Sequence, residues 1–180
     1  MPFEAPSPPP SHRDPRPAPQ AGPTAAVDAQ LLVFRLDDRR FALPAGAVER
    51  VLPMMAWAPL PGAPEVVAGV VDVAGRILPV FDLRRRFALP AREPLLSDVL
   101  VLVRAGGRSA ALPADGVDGL LKRAPAAVTP APAIAAGLRH VEGVVSLDDG
   151  VAFIHDVDAF LSAAEGRQLD RALDARGTAA

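Results

Sequence analysis

The sequence repeats itself in two places, and the two repeats have nearly the same offset. Ala42–Ala45 reads ALPA and recurs at Ala111–Ala114, an offset of 69 residues. Gly69–Val71 reads GVV and recurs at Gly143–Val145, an offset of 74. Because two unlike segments recur in the same order, the chain is predicted to contain two related units. These units are predicted to cover about 31–87 and about 97–157.

The apolar runs of both units are short and are separated by glycine, proline or acidic residues. This punctuation is typical of strands in small barrels or sandwiches. A unit of about 60 residues has a marginal core by itself, so the two units are predicted to pack on each other and to form a groove. The predicted strands are 31–36, 41–44, 66–72, 77–83, 99–104, 109–112, 141–147 and 151–157.

The two ends of the chain differ from this pattern. Nine of the 21 prolines lie in the first 24 residues, and proline supports neither helix nor sheet. Residues 1–29 are therefore predicted to be a disordered, polyproline-II-like tail, with a ligand for a proline-binding module (Pro6 and Pro9) as the alternative. At the other end, Asp156 or Asp158 is predicted to cap a short helix to about Ala164, and 163–180 to be a helical or frayed tail.

Composition excludes several classes of protein. The chain has no cysteine, which excludes disulfides, thiolate metal sites and a cysteine nucleophile. Its net charge of −2 gives no field that would attract nucleic acid. No apolar run reaches the length of about 18 residues that a membrane span needs, and the N-terminus does not resemble a secretory signal. The sequence therefore predicts a cytoplasmic protein without direct membrane insertion.

The chain carries no recognisable catalytic constellation. Gly-rich phosphate loops, nucleophile elbows and zinc-protease motifs are absent from the sequence. His140, His155 and Asp156 are candidates for a metal site, and Ser146, His155 and Asp156 for a catalytic triad. Consecutive strand residues point to opposite faces, which argues against both sites. We predict no catalytic residue, no metal and no cofactor.

Two further features are open to alternative interpretations. Trp57 lies between Pro53 and Pro64 in a predicted non-helical crossing, where it packs in a core or contacts a partner. The charge run Arg84–Arg86 is interpreted as a solvated helical turn, or alternatively as a patch that binds an acidic partner.

Four segments together resemble the CheW-like family of chemotaxis coupling proteins. The most specific is Gly69–Leu83, GVVDVAGRILPVFDL, which is similar to the family pattern G-V-x-N-L-R-G-x-x-x-P-V-x-D-L. The resemblance covers about residues 30–162. It implies an all-β domain of two packed SH3-like five-stranded barrels, with short connecting and C-terminal helices. The other segments are LLVFRLDDRRFALPAGAVERVLP, VLVRAGGRSAALPADGVDGLL and HVEGVVSLDDGVAFIHDVDAFL.

The resemblance implies a non-enzymatic adaptor. Family members connect the cytoplasmic tip of a methyl-accepting chemoreceptor to the regulatory domain of the histidine kinase CheA, and they contact other CheW-like domains. A protein of this kind is recruited to membrane-associated receptor clusters. The resemblance does not assign the kinase-contact residues. Carried over by position, the receptor-binding residues are Val48, Val51, Asp72, Ala74, Gly75, Arg76 and Leu120.

One position departs from the family pattern. Ala74 stands where the family has arginine, and alanine cannot supply the five donors of a guanidinium. We expect Arg76, two positions on and on the same strand face, to substitute in part. The departure leaves open an alternative function: a CheW-like scaffold for polar localisation, pilus motility or another chemosensory pathway that uses no ordinary receptor.

Overall fold

A computed structural model describes residues 29–105, 107–124, 127–134, 140–159 and 161–178. The described residues are mostly in strands, with a few helices, and the predicted all-β class is confirmed. The strands are β1 Ala29–Leu36, β2 Arg39–Pro44, β3 Val48–Pro53, β4 Val67–Val73, β5 Arg76–Phe81, β6 Val99–Ala105, β7 Arg108–Ala114, β8 Gly116–Arg123, β9 Val128–Pro130, β10 Val141–Leu147 and β11 Gly150–His155. The α-helices are α1 Leu83–Arg86, α2 Ala131–Ile134 and α3 Ala163–Thr178.

The strands form two open sheets. The first sheet has the order β8-β1-β2-β11-β10-β9, and the second has the order β3-β6-β7-β5-β4. The sheets do not follow the predicted units of about 31–87 and about 97–157, because the chain crosses to the other sheet after β2 and again after β7. The first sheet contains β1 and β2 with β8 to β11, and the second contains β3 to β7. The strands that follow the two crossings, β3 and β8, are called the exchanged strands. Strand β3 joins the second sheet, and β8 joins the first. The sequence prediction missed both of these exchanged strands.

The connection from β7 to β8 is too short for a hairpin, which explains the second crossing. Only Asp115 separates β7 from β8, and a hairpin needs a loop of at least about two residues. Strand β8 therefore cannot turn back onto β7, and it crosses to pair with β1, with Leu121 opposite Leu31. The connection from β2 to β3 is a single 3-10 turn over Ala45–Ala47. Strand β3 then pairs with β6, with Leu52 opposite Leu100.

The duplication is nevertheless real at the level of strand pairing. Each sheet contains one parallel pair among its described strands. Ile154 lies opposite Ala42 in the first sheet, and Val80 lies opposite Ala111 in the second. Ala111 is offset by 69 from Ala42, and Ile154 by 74 from Val80, so the two contacts are equivalent. The sequence repeats therefore lie on equivalent strand pairs, one in each sheet.

Strands in the middle of each sheet are buried on both faces. In β1, Leu31 and Val33 face the inner core of the first sheet, whereas Leu32 and Phe34 face a core shared by both sheets. Both sets are almost fully buried. Burial on two faces explains why the sequence runs through LLVF without alternation. Each such side chain contributes about 1.5–3 kcal/mol on burial, so the shared core holds the sheets together.

One glycine in each sheet lets a second backbone approach the strand closely. A Cβ at Gly69 would lie 2.2 Å from the carbonyl oxygen of Ala58, and one at Gly143 would lie 2.8 Å from that of Thr129. Ala58 forms an isolated bridge with Val70 in the predicted crossing, which contains no helix. The GVV repeat is thus explained, because its glycine allows a second backbone to approach the strand closely.

The C-terminal helix begins where the sequence predicted it to end. Asp156 accepts backbone hydrogen bonds in a turn, and α3 starts seven residues later, at Ala163. Ser162 and Glu165 form a reciprocal capping box, with Ser162 N donating to Glu165 Oε2 at 2.7 Å. Leu169 and Ala172 are buried in the shared core, so the helix is part of the fold. No described helix, α3 included, is long and apolar enough to cross a membrane.

Candidate partner-binding surface

The two exchanged strands present equivalent apolar residues at the rim of the shared core. Val51 pairs with Val101 on β6, and Leu120 pairs with Leu32 on β1. Both pairs face the shared core. Because β3 and β8 are edge strands, Val51 is 39% exposed and Leu120 66% exposed. The two residues are related by the offset of 69, so the molecule carries the same exposed feature twice.

Each exchanged strand also carries a carboxylate that pairs with an arginine of its neighbour. Glu49 lies 3.4 Å from Arg104, and Asp118 lies 2.8 Å from Arg35. Both members of one pair are offset by 69 from the members of the other. The two ion pairs are therefore duplicated along with the strands. They lie at the surface, where such pairs contribute about 0–1 kcal/mol each.

The residue that bonds each of these carboxylates from two strands away in the sheet differs in charge. It is Ser109 for Glu49 and Arg40 for Asp118. In the second sheet, Ser109 Oγ donates to Glu49 at 2.7 Å, and Arg76 of β5 donates to Ser109 at 2.8 Å. In the first sheet, Arg40 stands at the position of Ser109 and forms a bidentate pair with Asp149, with one contact of 2.7 Å. The bond from Ser109 lowers the pKa of Glu49, and the bond from Arg40 lowers that of Asp149.

The turn that joins β4 and β5 has left-handed backbone angles. Ala74 has φ 52° and Gly75 has φ 83°, as the two-residue turns of tight hairpins require. Asp72 Oδ1 accepts a hydrogen bond from Gly75 N at 2.7 Å and fixes the turn. Ala74 is part of this turn rather than a strand, so the expectation that Arg76 shares its strand face is wrong.

The structure brings most of the predicted receptor-binding residues to one sheet. In the strand order, β3 and β5 are three places apart, yet Arg76 Nη1 lies 3.7 Å from Glu49 Oε2. The sheet therefore curls enough to bring its two sides together. Leu120 is on the other sheet. Receptor binding stays a prediction for all seven residues, which are Val48, Val51, Asp72, Ala74, Gly75, Arg76 and Leu120.

Two surface residues, Ile77 and Glu49, were not predicted from the sequence. Ile77 is 48% exposed directly after the turn, and Glu49 links β3 to β5. An internal alignment would have indicated Glu49, because its equivalent is the aspartate Asp118. No sequence signal marks Ile77, since it lies in an apolar run that is otherwise buried from Leu78 onward.

The arginine run does not behave as one unit. Arg84 is 7% exposed and makes two contacts of 2.8 and 2.7 Å with Asp115, and one of 2.7 Å with Asp37. Arg86 is paired with Glu165 of α3, and Arg85, with a half-exposed side chain, is paired with Asp82. Both interpretations of the run, the solvated turn and the partner patch, are wrong for Arg84. Its guanidinium joins the first hairpin to the crossing between β7 and β8.

Asp115 is the centre of this ionic cluster. Burial alone would raise its pKa, but hydrogen bonds from Arg84, from the Asp37 amide and from Arg92 lower it overall. Arg92 also pairs with the buried Asp98 at 2.8 Å. The same carboxylates raise the pKa of both arginines against the effect of burial. Arg84, Arg92 and Asp115 are therefore charged in the folded protein near neutral pH.

His155 is a core residue. It is fully buried, its Nδ1 contacts the His140 carbonyl oxygen, and its ring packs edge-on against Phe87 at 5.1 Å. Burial is the main reason that the pKa of His155 falls to about 4, so the ring is neutral at physiological pH. His140 Nδ1 contacts the Ala159 carbonyl oxygen at 2.6 Å. The described residues contain no group of three potential side-chain ligands that could hold a metal ion.

Comparison with known proteins gives consistent results over nearly all of the folded part. A family model for the CheW-like domain matches residues 30–165. The chain is 26% identical over 138 residues to the chemotaxis protein CheW of Rhizobium meliloti (strain 1021), covering 76% of this chain and 89% of that one. It is 25% identical over 146 residues to the chemotaxis protein CheW of Klebsiella aerogenes, covering 80% and 88%.

A solved structure shows the same fold. The scaffolding protein TtCheW from Thermoanaerobacter tengcongensis superposes with a TM-score of 0.70 at 24% identity, covering 77% of this chain and 95% of that chain. The family model spans well over half of the sequence, and it includes both exchanged strands and the turn at Ala74. The chain therefore belongs to the CheW-like domain family.

Proposed function

We propose that this protein is a non-enzymatic signalling adaptor of a chemosensory array. It binds the cytoplasmic tip of a methyl-accepting chemoreceptor on one surface and the regulatory domain of the histidine kinase CheA on another. The observation that carries the proposal is the duplicated exposed rim, with Val51 on one sheet and Leu120 on the other. The names of its relatives, which are chemotaxis proteins, support the same conclusion.

The rigidity of the fold suits an adaptor. The edge strands that carry Val51 and Leu120 pair along most of their length with strands that are buried on both faces. Their positions are thus set by the shared core, which includes the side chains of Phe34 and Phe41. A helical receptor hairpin has an apolar stripe that fits a shallow apolar rim of this kind. Movement of a bound receptor would be passed to the kinase through a body that deforms little.

Binding experiments with one substitution on each rim test the proposal. The resemblance implies receptor binding for both Val51 and Leu120, but the two residues lie on different sheets. We therefore expect Leu120→Asp and Val51→Asp to weaken different partners. Both side chains are well exposed, so the folded state tolerates the charge. Titration calorimetry with a receptor-tip fragment and with the kinase regulatory domain measures the effect. If neither partner binds the wild-type chain, the adaptor proposal fails.

A substitution of Ala74, in the turn between β4 and β5, distinguishes this proposal from its alternative. An adaptor for an ordinary receptor should gain affinity from Ala74→Arg, because the arginine restores guanidinium donors at the exposed turn. Arginine also tolerates the turn about as well as alanine, since both have a Cβ at positive φ. No gain in receptor affinity would favour the alternative, a CheW-like scaffold in a polar-localisation or pilus-motility pathway without an ordinary receptor.

A further inference from the structure

An apolar groove lies at the end of the second sheet, away from the turn at Ala74. It has a volume of about 440 Å³. Its walls are the segment after β3 and the loop before β6, and Trp57 is its one aromatic lining residue. Leu95 is 55% exposed and Leu96 is 96% exposed, although both are apolar. The lining is completed by Met54, Met55, Ala56, Glu93 and Pro94.

The tryptophan of this groove has two roles. Trp57 is half-buried and packs against the inner core of the second sheet, which agrees with the predicted packing role. The same residue also lines the groove beside two methionines. An aromatic ring flanked by flexible thioethers and exposed leucines is typical of a surface that binds an extended peptide. Proline-rich segments dock on such aromatic-lined grooves because their backbone is already extended.

We propose that the proline-rich segment Asp14–Pro19 of the same chain occupies this groove. The segment reads DPRPAP, with prolines at alternate positions and Arg16 between two of them. Glu93 is the one charged side chain among the residues that line the groove, so Arg16 has a complementary partner there. The segment belongs to the N-terminal residues outside the described structure. The proposal goes beyond the adaptor function and does not depend on it.

The linker is long enough for this contact. Leu31 lies opposite Pro44 on β2, and Met54 at the groove follows ten residues after Pro44. Strand partners are about 5 Å apart and ten residues span at most about 36 Å, so the groove is at most about 41 Å from Leu31. The 12 residues from Pro19, at the end of the segment, to Leu31 span up to about 43 Å when fully extended, at 3.6 Å per residue. Tethering also raises the local concentration of the segment to about the millimolar range.

The composition of the chain provides a direct assay. The protein has no cysteine and one tryptophan, which is Trp57 itself. A bimane fluorophore on Ala18→Cys of the full chain is quenched only when the label comes close to an indole ring. We expect about a twofold loss of emission relative to the same labelled chain with Trp57→Phe, because tethering keeps the site at least half filled. Equal emission from the two chains would overturn the proposal.

Two further variants show where the label binds. Leu96→Asp should abolish the quenching, and its side chain is too exposed to affect folding. Replacing Pro15, Pro17 and Pro19 with alanine should do the same, whereas replacing the control prolines Pro8, Pro9 and Pro10 should leave the quenching unchanged. Quenching that survives Leu96→Asp would contradict docking in this groove.

Dilution shows whether the groove binds the tail of the same chain or the tail of a second copy. An intramolecular contact gives the same quenching at every protein concentration. Quenching that decreases on dilution would mean that the groove binds the tail of a second copy, and it would overturn the intramolecular proposal. Addition of a peptide of residues 10–22 in excess should compete with the tethered segment and restore emission. A peptide that leaves the emission quenched even at saturating concentration would count against a reversible contact in the groove.

Discussion

The two crossings between the sheets have the same path but different chemistry. The crossing from β7 to β8 contains Asp115, which is held by Arg84 and Arg92. The equivalent position in the crossing from β2 to β3 is Gly46, where a side chain would meet nothing within 4 Å. The strand exchange therefore does not need the ionic cluster, because it occurs at both crossings. The comparison shows that apolar patterning sets the duplicated fold, whereas charged groups distinguish its two halves.

The same difference recurs at the surface. Both edge strands keep an exposed apolar residue and a paired carboxylate. The charged residue nearby is Arg76, at the start of β5, in one sheet and Asp149, in the turn before β11, in the other. Two rims of the same shape and unlike charge are suited to two different partners, because charge complementarity selects partners more than it adds affinity.

The largest expected effect concerns the ionic cluster. Arg84→Met should lower the free energy of unfolding by an amount near the lower end of about 3–5 kcal/mol, because two carboxylates lose their buried partner. Asp37 and Asp115 keep some exposure, which limits the loss. Urea denaturation measures the change. The control Arg85→Met removes a half-exposed pair and should cost less than about 1 kcal/mol. Equal losses would show that the cluster does not stabilise the crossing.

The second expected effect concerns pH. His155 occupies the position that Phe81 has in the other sheet, by the offset of 74. Its pKa is about 4 in the folded chain and about 6.5 in the unfolded chain, so only the unfolded chain binds a proton between these values. The stabilising contribution is complete above pH 6.5 and is lost as pH falls to 4. The loss is about 3 kcal/mol, from 1.36 kcal/mol per unit.

His155→Phe places the same residue at this position in both sheets. It tests whether the buried imidazole causes the loss of stability at low pH. The variant should keep nearly constant stability from pH 6.5 to about 4.5, whereas the wild type should lose stability over the same interval. Chemical denaturation at several pH values measures both. A wild-type curve that is flat over this interval would contradict the assigned burial of the imidazole. A further decrease below pH 4 is expected for both proteins, because Asp115 has a lowered pKa and becomes protonated there.

A smaller effect is expected at the rims. Leu120→Asp and Val51→Asp should each reduce the affinity for one partner by about tenfold or more, as loss of an apolar contact at the centre of an interface does. Thermal unfolding should change little for either variant. If both substitutions weaken the same partner, the two rims form one surface and the comparison of two separate sites fails.

The smallest effect concerns the two hairpin turns. Ala74 has positive φ, so Ala74→Gly should stabilise the fold by about 1 kcal/mol. Asp148 is its equivalent by the offset of 74 and does not have positive φ, so Asp148→Gly should bring no gain. The midpoints of urea denaturation compare the two variants. A gain from both, or from neither, would show that the turns have the same backbone strain.

The sequence predicted the strands that are rich in apolar residues, because burial on two faces leaves long apolar runs such as Leu31–Phe34. It did not predict β3 and β8, since an edge strand alternates polar with apolar residues and gives a weak signal. The crossing of β8 depends on the one-residue connection at Asp115, and the length of that connection is known only when both strand ends are known. The start of α3 was predictable in principle from Ser162 and Glu165.

The candidate site was predictable only in part. Family resemblance led to Val51, Leu120 and the turn, but a single sequence does not separate exposed from buried residues within an apolar run. The role of Arg84 was not predictable, because its carboxylate partners are 31 and 47 residues away along the chain. Long-range ion pairs of this kind depend on the fold as a whole.

The formation of a ternary complex tests the central claim most directly. The full chain is mixed with a receptor-tip fragment and the kinase regulatory domain, and the mixture is analysed by size-exclusion chromatography with light scattering. The account predicts one complex that contains all three proteins, because the two rims lie on different sheets and bind at the same time. Exclusion of one partner by the other, or the absence of any complex, would contradict it.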